Sequence, residues 1–254
     1  LWSRYNPGVY CDYETFKHSP HLFWRMAREL VMDVHVQLGG DRVEAMRTGA
    51  FVWAEPNPAH KALAELQSMG KVAGIITQNI DGLHTAAGSA NVIELHGTDR
   101  TCTCMTCRSS DIPQSEVLQQ WMTARAKDPS QSIESDMFVP RHAACGGGVL
   151  KANVTFFGEG LPAGALMKAT STVMSSSVCM VVGSSLTVAP ANTIPPMVKA
   201  RFGKLIVCNL DESGRELADV FIQGKASDIL SAIVQEVKTL EANGVPSGKD
   251  TCRL

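Results

Sequence analysis

The chain has 254 residues, a formal net charge of −2 at pH 7, 44% hydrophobic residues and 19% charged residues. That suits one large folded α/β domain, or a main domain with a small insert, and excludes a disordered chain. The near-zero charge gives no electrostatic case for direct nucleic-acid or membrane binding, and no apolar run reads as a bilayer span or signal peptide.

Taken in chain order, residues 12–48 read as helices, with Phe16, Leu22, Phe23, Met26, Leu30 and Val34 at helical spacing. "AEPNPAH" (54–60) breaks that pattern. Pro58 then suits the first turn of a new helix capped by Asn57, continued by Leu63, Leu66 and Met69. "KVAGIITQ" and "NVIELHG" are strand-like. The first ends abruptly in Thr77, Gln78, Asn79 and Asp81, polar groups that are costly to bury without partners.

From Thr98 to about Lys151 the character changes. A cysteine cluster is followed by a polar helical stretch with Val117, Leu118 and Trp121, then by a polar loop, "KDPSQSIESD". The α/β rhythm resumes with "NVTFFGE" (strand), "GALMKATSTVM" (helix), "VCMVVGSSL" (strand), "TIPPMVKARFG" (helix with early prolines) and "KLIVCNLDE" (buried strand). An amphipathic final helix starts near Ser227, its expected cap, with Ile229, Leu230, Ile233, Val234, Val237 and Leu240 on one face. Buried strands alternating with helices predict the α/β class, with a Rossmann-like parallel sheet covered by helices and a small zinc-ribbon/helical second domain. Ligands bind such sheets beyond the carboxyl ends of the strands, where "TQN", "VGSSL" and "VCNLD" converge on a nucleotide site.

The eight cysteines do not form a disulfide-type pattern, which points to a reducing compartment such as cytoplasm or nucleus. Cys104 and Cys107 form a metal-type knuckle, and His142 and Cys145 supply a second half. Three thiolates and one imidazole make a closed, structural zinc set, with Cys102 as a spare thiol able to compete.

"TQNIDGLH", "ELHG", the knuckle that follows it, "FFGEGLP", "VVGSSLTVAPA" and "IVCNLDE" occur in the order seen in sirtuins, and "LWSRYNP" and "AEPNPAH" resemble sirtuin segments too. The resemblance covers almost the whole chain and implies an NAD-dependent protein lysine deacylase that transfers an acyl group to ADP-ribose and releases nicotinamide. It implies that Gln78, Asn79, Ile80 and Asp81 line the nicotinamide and ribose pocket, and that His96 is the catalytic base, with Asn79 beside it. A neutral imidazole with a pKa near ~6.5 suits that task. By the same resemblance Gly183, Ser184 and Ser185 meet phosphate or ribose, Asn209 the adenosine ribose, and the Ala226 backbone the adenine. An acyl-lysine peptide, such as a histone tail, would add a strand along Gly158 and Glu159, with Thr155, Phe157 and Val188 lining the acyl site. Of Phe156 and Phe157, one is expected to be core. Domain boundaries follow as 59–97 with 153–254 for the NAD-binding domain, 98–152 for the zinc module and 1–58 for a cofactor-loop remnant with helices.

Three departures qualify the resemblance. The family's Gly-Ala-Gly phosphate loop and Asp-Phe-Arg triplet do not occur, and "LW" normally lies just after that triplet. The expectation is an incomplete chain rather than a natural enzyme without that loop, and weakened NAD affinity if the loop is truly lacking. His142 replaces a zinc cysteine, and Ala152 a usual proline. Alternative functions are a protein mono-ADP-ribosyltransferase using the same pocket, or a catalytically weak NAD- and peptide-binding protein. No tyrosine accompanies Arg42 and Arg47 in "DRVEAMRTGAFVWAEPN", which favours acetyl or other neutral acyl groups over acidic ones.

Overall fold

The computed structural model describes residues 4–127 and 137–244. The polar loop expected at 127–136 lies outside the described residues from 128 on. Four helices open the chain: α1 (Pro7–Tyr10), α2 (Tyr13–His18), α3 (Pro20–Gln37) and α4 (Arg42–Thr48). They are followed by α5 (Pro58–Ser68), β1 (Ile75–Thr77), α6 (Leu83–Ala86) and β2 (Val92–Glu94). Next come β3 (Gly97–Cys104), β4 (Ile112–Pro113), α7 (Gln114–Lys127), β5 (Arg141–His142) and β6 (Gly148–Val154). The last part holds α8 (Ala165–Met174), β7 (Val178–Val182), β8 (Lys204–Asn209), β9 (Val220–Gln223) and α9 (Ala226–Ala242). The chain divides into two compact units, one of Leu1–Ala54, Asn79–Gly82 and His96–Pro162, the other of Glu55–Gln78, Leu83–Leu95 and Ala163–Leu254.

In the first unit an antiparallel sheet runs in the order β4-β3-β6-β5. Its core gathers Phe16, Phe23, Trp24, Cys102, Cys104, Leu150 and Phe156. Helix α3 buries Phe23 and Met26 as expected, together with Trp24, Arg28, Met32 and His35, while Leu22, Leu30 and Val34 are half-buried. Its inner face therefore keeps part of the expected one and extends beyond it, because α3 serves two clusters. The Trp24 indole N–H donates to the Leu150 carbonyl at 3.0 Å, and Met32 packs with Ala45 and Trp121. The Arg28 guanidinium lies 5.5 Å from the Trp121 ring centre and donates to the Phe138 carbonyl, which keeps a buried charge solvated by protein dipoles. His35 Nδ1 accepts the Val52 N–H at 2.8 Å, and its Nε2 lies 3.1 Å from the Asp41 carbonyl. Only the Nε2–H tautomer satisfies both.

In the second unit β1 and β2 pair in parallel, and β7-β8-β9 form a parallel sheet with β8 central. Helices α5 and α9 share a core of Ala59, Ala62, Leu66, Leu230 and Val234, against which Met180 and Val182 of β7 pack. Asn57 caps α5 as expected, accepting from the Ala59 and His60 amides, and His60 completes a capping box by accepting from the Asn57 N–H.

Four local expectations change. The strand expected over "NVTFFGE" is β6, which ends at Val154, and Phe157 joins only an isolated bridge with Asp12. The "TIPP" segment forms 3₁₀ turns, Ala191–Thr193 and Pro195–Arg201, in place of the expected α-helix. Helix α9 starts after Lys225, and Ser227 lies inside it rather than capping it. Strand β9, too short to signal itself, was not expected.

Candidate active site and metal site

The expected site residues lie in both units, and each set is held by local geometry. In the first unit, Asn79–Gly82 rests on the start of β3. The Asp99 N–H donates to the Ile80 carbonyl at 3.1 Å, and Gly82 takes φ +68° with the Arg100 guanidinium where a Cβ would be. Asn79 and Asp81 are exposed and Ile80 is half-buried. His96 sits half-buried in the two-residue turn between β2 and β3, and its carbonyl accepts the Thr155 N–H at 2.9 Å. That bond brings His96 and the Thr155–Glu159 segment together.

Of the two phenylalanines, Phe156 is the core residue. It is 2% exposed and packs edge-on against Phe16 and at a tilt against Phe23, whereas Phe157 is 56% exposed. Gly158 has φ +84° and is exposed. Sequence reasoning missed Lys151, whose ammonium lies 2.8 Å from the Glu159 carboxylate. Burial pulls its pKa below the ordinary lysine value, and Glu159 opposes that pull. No local signal marks the pair, since the two meet across a turn.

In the second unit, the loop after β7 is organised around Ser184. Gln78 donates to its hydroxyl at 3.5 Å, and the Leu186 N–H donates to the same oxygen at 3.3 Å. Gly183 has φ +65° and donates to the Cys208 carbonyl, while the Ser185 hydroxyl bonds Thr187. Buried Asn209 uses its amide nitrogen twice, donating to the carbonyls of Ser184 (2.9 Å) and Ser213 (2.7 Å). The Gly224 N–H donates to the Asn209 carbonyl, which brings the start of α9 beside this loop. An open apolar groove of about 450 Å³ lies there, lined by Gly224, Lys225, Asp228, Ile229 and Ile233 among others. The Ala226 side chain packs into the core instead. Val188 is 45% exposed.

The metal set comes together. The donor atoms of Cys104, Cys107, His142 and Cys145 all lie within 4.8 Å of one another. Cys104 Sγ is 3.5 Å from Cys145 Sγ, and Cys107 Sγ is 3.3 Å from His142 Nδ1. A zinc ion with ~2.3 Å sulfur bonds needs tetrahedral edges of about 3.5–3.8 Å; the two close pairs match such edges, and separations of up to 4.8 Å would have to draw in around the ion. Zinc needs thiolates, and the Ser109 hydroxyl and amide, ahead of His142, bring the Cys107 thiol down to about 6. Cys102 takes no part. It is buried between Ala152 and Ile112, and burial pushes its thiol up to about 12.

Comparison with known proteins agrees with this geometry. The Sir2 family description matches residues 41–190. The NAD-dependent protein deacylase of Thermococcus kodakarensis is 36% identical over 245 residues, covering 95% of this chain and 83% of the relative. NAD-dependent protein deacylase 2 of Archaeoglobus fulgidus is 36% identical over 243 residues, covering 95% and 83%. Among solved structures, one from "Structural Basis for the Mechanism and Regulation of Sir2 Enzymes" superposes with a TM-score of 0.74 at 36% identity, covering 94% of this chain and 84% of that one. Another, Sir2Af2 bound to a myristoylated histone peptide, gives a TM-score of 0.72 at 34% identity, covering 93% and 87%. The fold is the Rossmann-like α/β fold of these enzymes with a small metal-binding domain, and the chain belongs to the Sir2 family.

Proposed function

We propose that this chain is an NAD-dependent protein lysine deacylase, and the observation that carries the proposal is its near full-length likeness to deacylases of that description. NAD supplies the ADP-ribosyl acceptor and the nicotinamide leaving group. His96 accepts the proton of a ribose hydroxyl at its imidazole nitrogen. The Asp81 carboxylate accepts from the nicotinamide carboxamide, Asn79 and Gln78 bond the ribose side, and Ile80 packs on the ring. Gly183, Ser184 and Ser185 offer amides and hydroxyls to phosphate or ribose. Asn209 holds that loop through its nitrogen, and its Oδ1 serves as acceptor for the adenosine ribose. Adenine meets the backbone at Ala226, beside the groove along Gly224 and Ile229.

The second substrate is an acyl-lysine peptide, laid along Gly158 and Glu159 with its acyl group toward Thr155 and Phe157. Relatives of known structure hold a myristoylated histone peptide and a p53 peptide, which supports this substrate class. A neutral acyl group is favoured. Arg47 is engaged by Glu44 at 2.6 Å, and no tyrosine accompanies it as a partner for an acidic acyl chain. Cys104, Cys107, His142 and Cys145 would hold a zinc ion that ties the end of β3 to β5 and the turn after it, a structural rather than a catalytic role. Among the described residues no helix is long and apolar enough to cross a membrane, and ligand thiols call for a reducing compartment.

The test is mass spectrometry of acetyl-lysine and succinyl-lysine peptides incubated with the protein, with and without NAD. Acetyl loss only with NAD, matched by nicotinamide and acetyl-ADP-ribose, and abolished in His96→Ala, is expected. ADP-ribose on protein without acyl loss would favour the transferase alternative, and equal succinyl turnover would overturn the neutral-acyl reading.

A further inference from the structure

The Thr155–Glu159 segment is held by one buried charge pair. Lys151 is 7% exposed, and its ammonium donates to the Glu159 carboxylate (2.8 Å), the Val154 carbonyl (2.8 Å) and the Ala152 carbonyl (3.2 Å). All three ammonium protons are thus used. The Phe156 ring lies 4.1 Å from the ammonium nitrogen. The same Glu159 oxygen accepts the Phe156 N–H at 2.8 Å, and the Glu159 N–H returns to the Phe156 carbonyl at 3.0 Å. The turn is closed twice, once by backbone and once by side chain. Both backbone groups of Phe157 are also engaged, its N–H by the Cys11 carbonyl and its carbonyl by the Tyr13 N–H.

We propose that Lys151 and Glu159 are positioning residues that set where an acyl-lysine peptide docks relative to His96, an inference that rests on the deacylase reading above. The path is short: Lys151 to Glu159, Glu159 to the Phe156 amide, and Thr155 to the His96 carbonyl, all in the first unit. Stability alone is a poor reason for such a pair, because well-packed apolar replacements of buried ion pairs are often neutral or stabilising. What the pair supplies is direction. An ammonium with three fixed acceptors and a carboxylate with a fixed amide hold the turn in one geometry, so that Phe157 and Gly158 face outward in one place.

The experiment compares the parent with Glu159→Gln, Lys151→Met and the double variant. It follows the Michaelis constants for acetyl-lysine peptide and NAD, kcat, and thermal unfolding. Each single variant leaves a charge without its partner and unfolds earlier, whereas the double variant recovers thermal stability. In all three the peptide KM is expected to rise about tenfold or more while the NAD KM moves less than about twofold. A merely structural pair would lower the active fraction and hence apparent kcat, leave both KM values in place, and lose its effect in the double variant. An unchanged peptide KM in Glu159→Gln and in the double variant overturns the proposal. A parent without NAD-dependent turnover defeats the deacylase reading. Fluorescence anisotropy with a labelled acetyl-lysine peptide then decides the clamp: weaker binding in the variants supports it, equal binding overturns it, and a parent that binds no peptide overturns both.

Discussion

The carbonyl oxygen of Asn153 occupies the place a side chain on Gly97 would need: a Cβ on Gly97 would lie 2.0 Å from it. Gly97 also takes φ +77°, a left-handed backbone that L side chains resist. The close approach pairs Gly97 with Val154 and puts the His96 carbonyl on the Thr155 amide. Gly97→Ala must either push β6 away or move His96. We expect a stability loss of about 2–4 kcal/mol, read by urea unfolding, with loss of deacylation. An alanine variant of parental stability and activity would remove Gly97 from this role.

The His142 ligand is tested by metal content. The parent should hold one zinc per chain, His142→Ala well below one, and His142→Cys close to one, because a thiolate restores the four-donor set. Chelation of the parent should lower its unfolding temperature. Plasma emission measurement on dialysed protein checks the content, and zinc retained in full by His142→Ala would exclude the imidazole as a ligand.

His35 joins α3 to the segment around α4 through two backbone partners, the Val52 amide and the Asp41 carbonyl. His35→Phe keeps an aromatic ring and leaves both partners unsatisfied in a buried place. The expected cost is about 1–3 kcal/mol in chemical denaturation. A Phe variant as stable as the parent would mean that water or local movement satisfies both groups.

Asp219 provides a pH-dependent contribution. The Leu205 amide, 2.8 Å away, leads in holding its carboxyl below the usual range; burial opposes this, and Lys199 adds to it. A depressed folded-state pKa stabilises above the unfolded value of ~3.9 and loses that contribution as pH falls through the folded value. Asp219→Asn should therefore have a lower denaturation midpoint than the parent at pH 6, and the gap should close below about pH 4 as the parent protonates. A gap that persists at the lowest pH would assign the effect to packing.

Much was legible where the physics is local. Asn57 and Pro58 announce the start of α5 within four residues, since a cap needs only the first free amides of its own helix. The Cys104–Cys107 knuckle likewise carries its own geometry. Less legible was the run "NVTFFGE", Asn153 to Glu159, read as one strand. There β6 ends at Val154 because the next amides bond the His96 carbonyl and the Glu159 carboxylate, partners distant in sequence or across a turn.

The sequence by itself determined the family and the alternation of strand and helix, because these reside in residue type and short spacing. Only the tertiary structure decided that Phe156 rather than Phe157 is core, that Cys102 stays out of the metal cluster, and that α3 turns Trp24, Arg28, Met32 and His35 inward. It also brought Lys151 onto Glu159. Each of these depends on which surfaces meet once the chain has closed, and burial, unlike a cap or a metal knuckle, is a property of both partners at once.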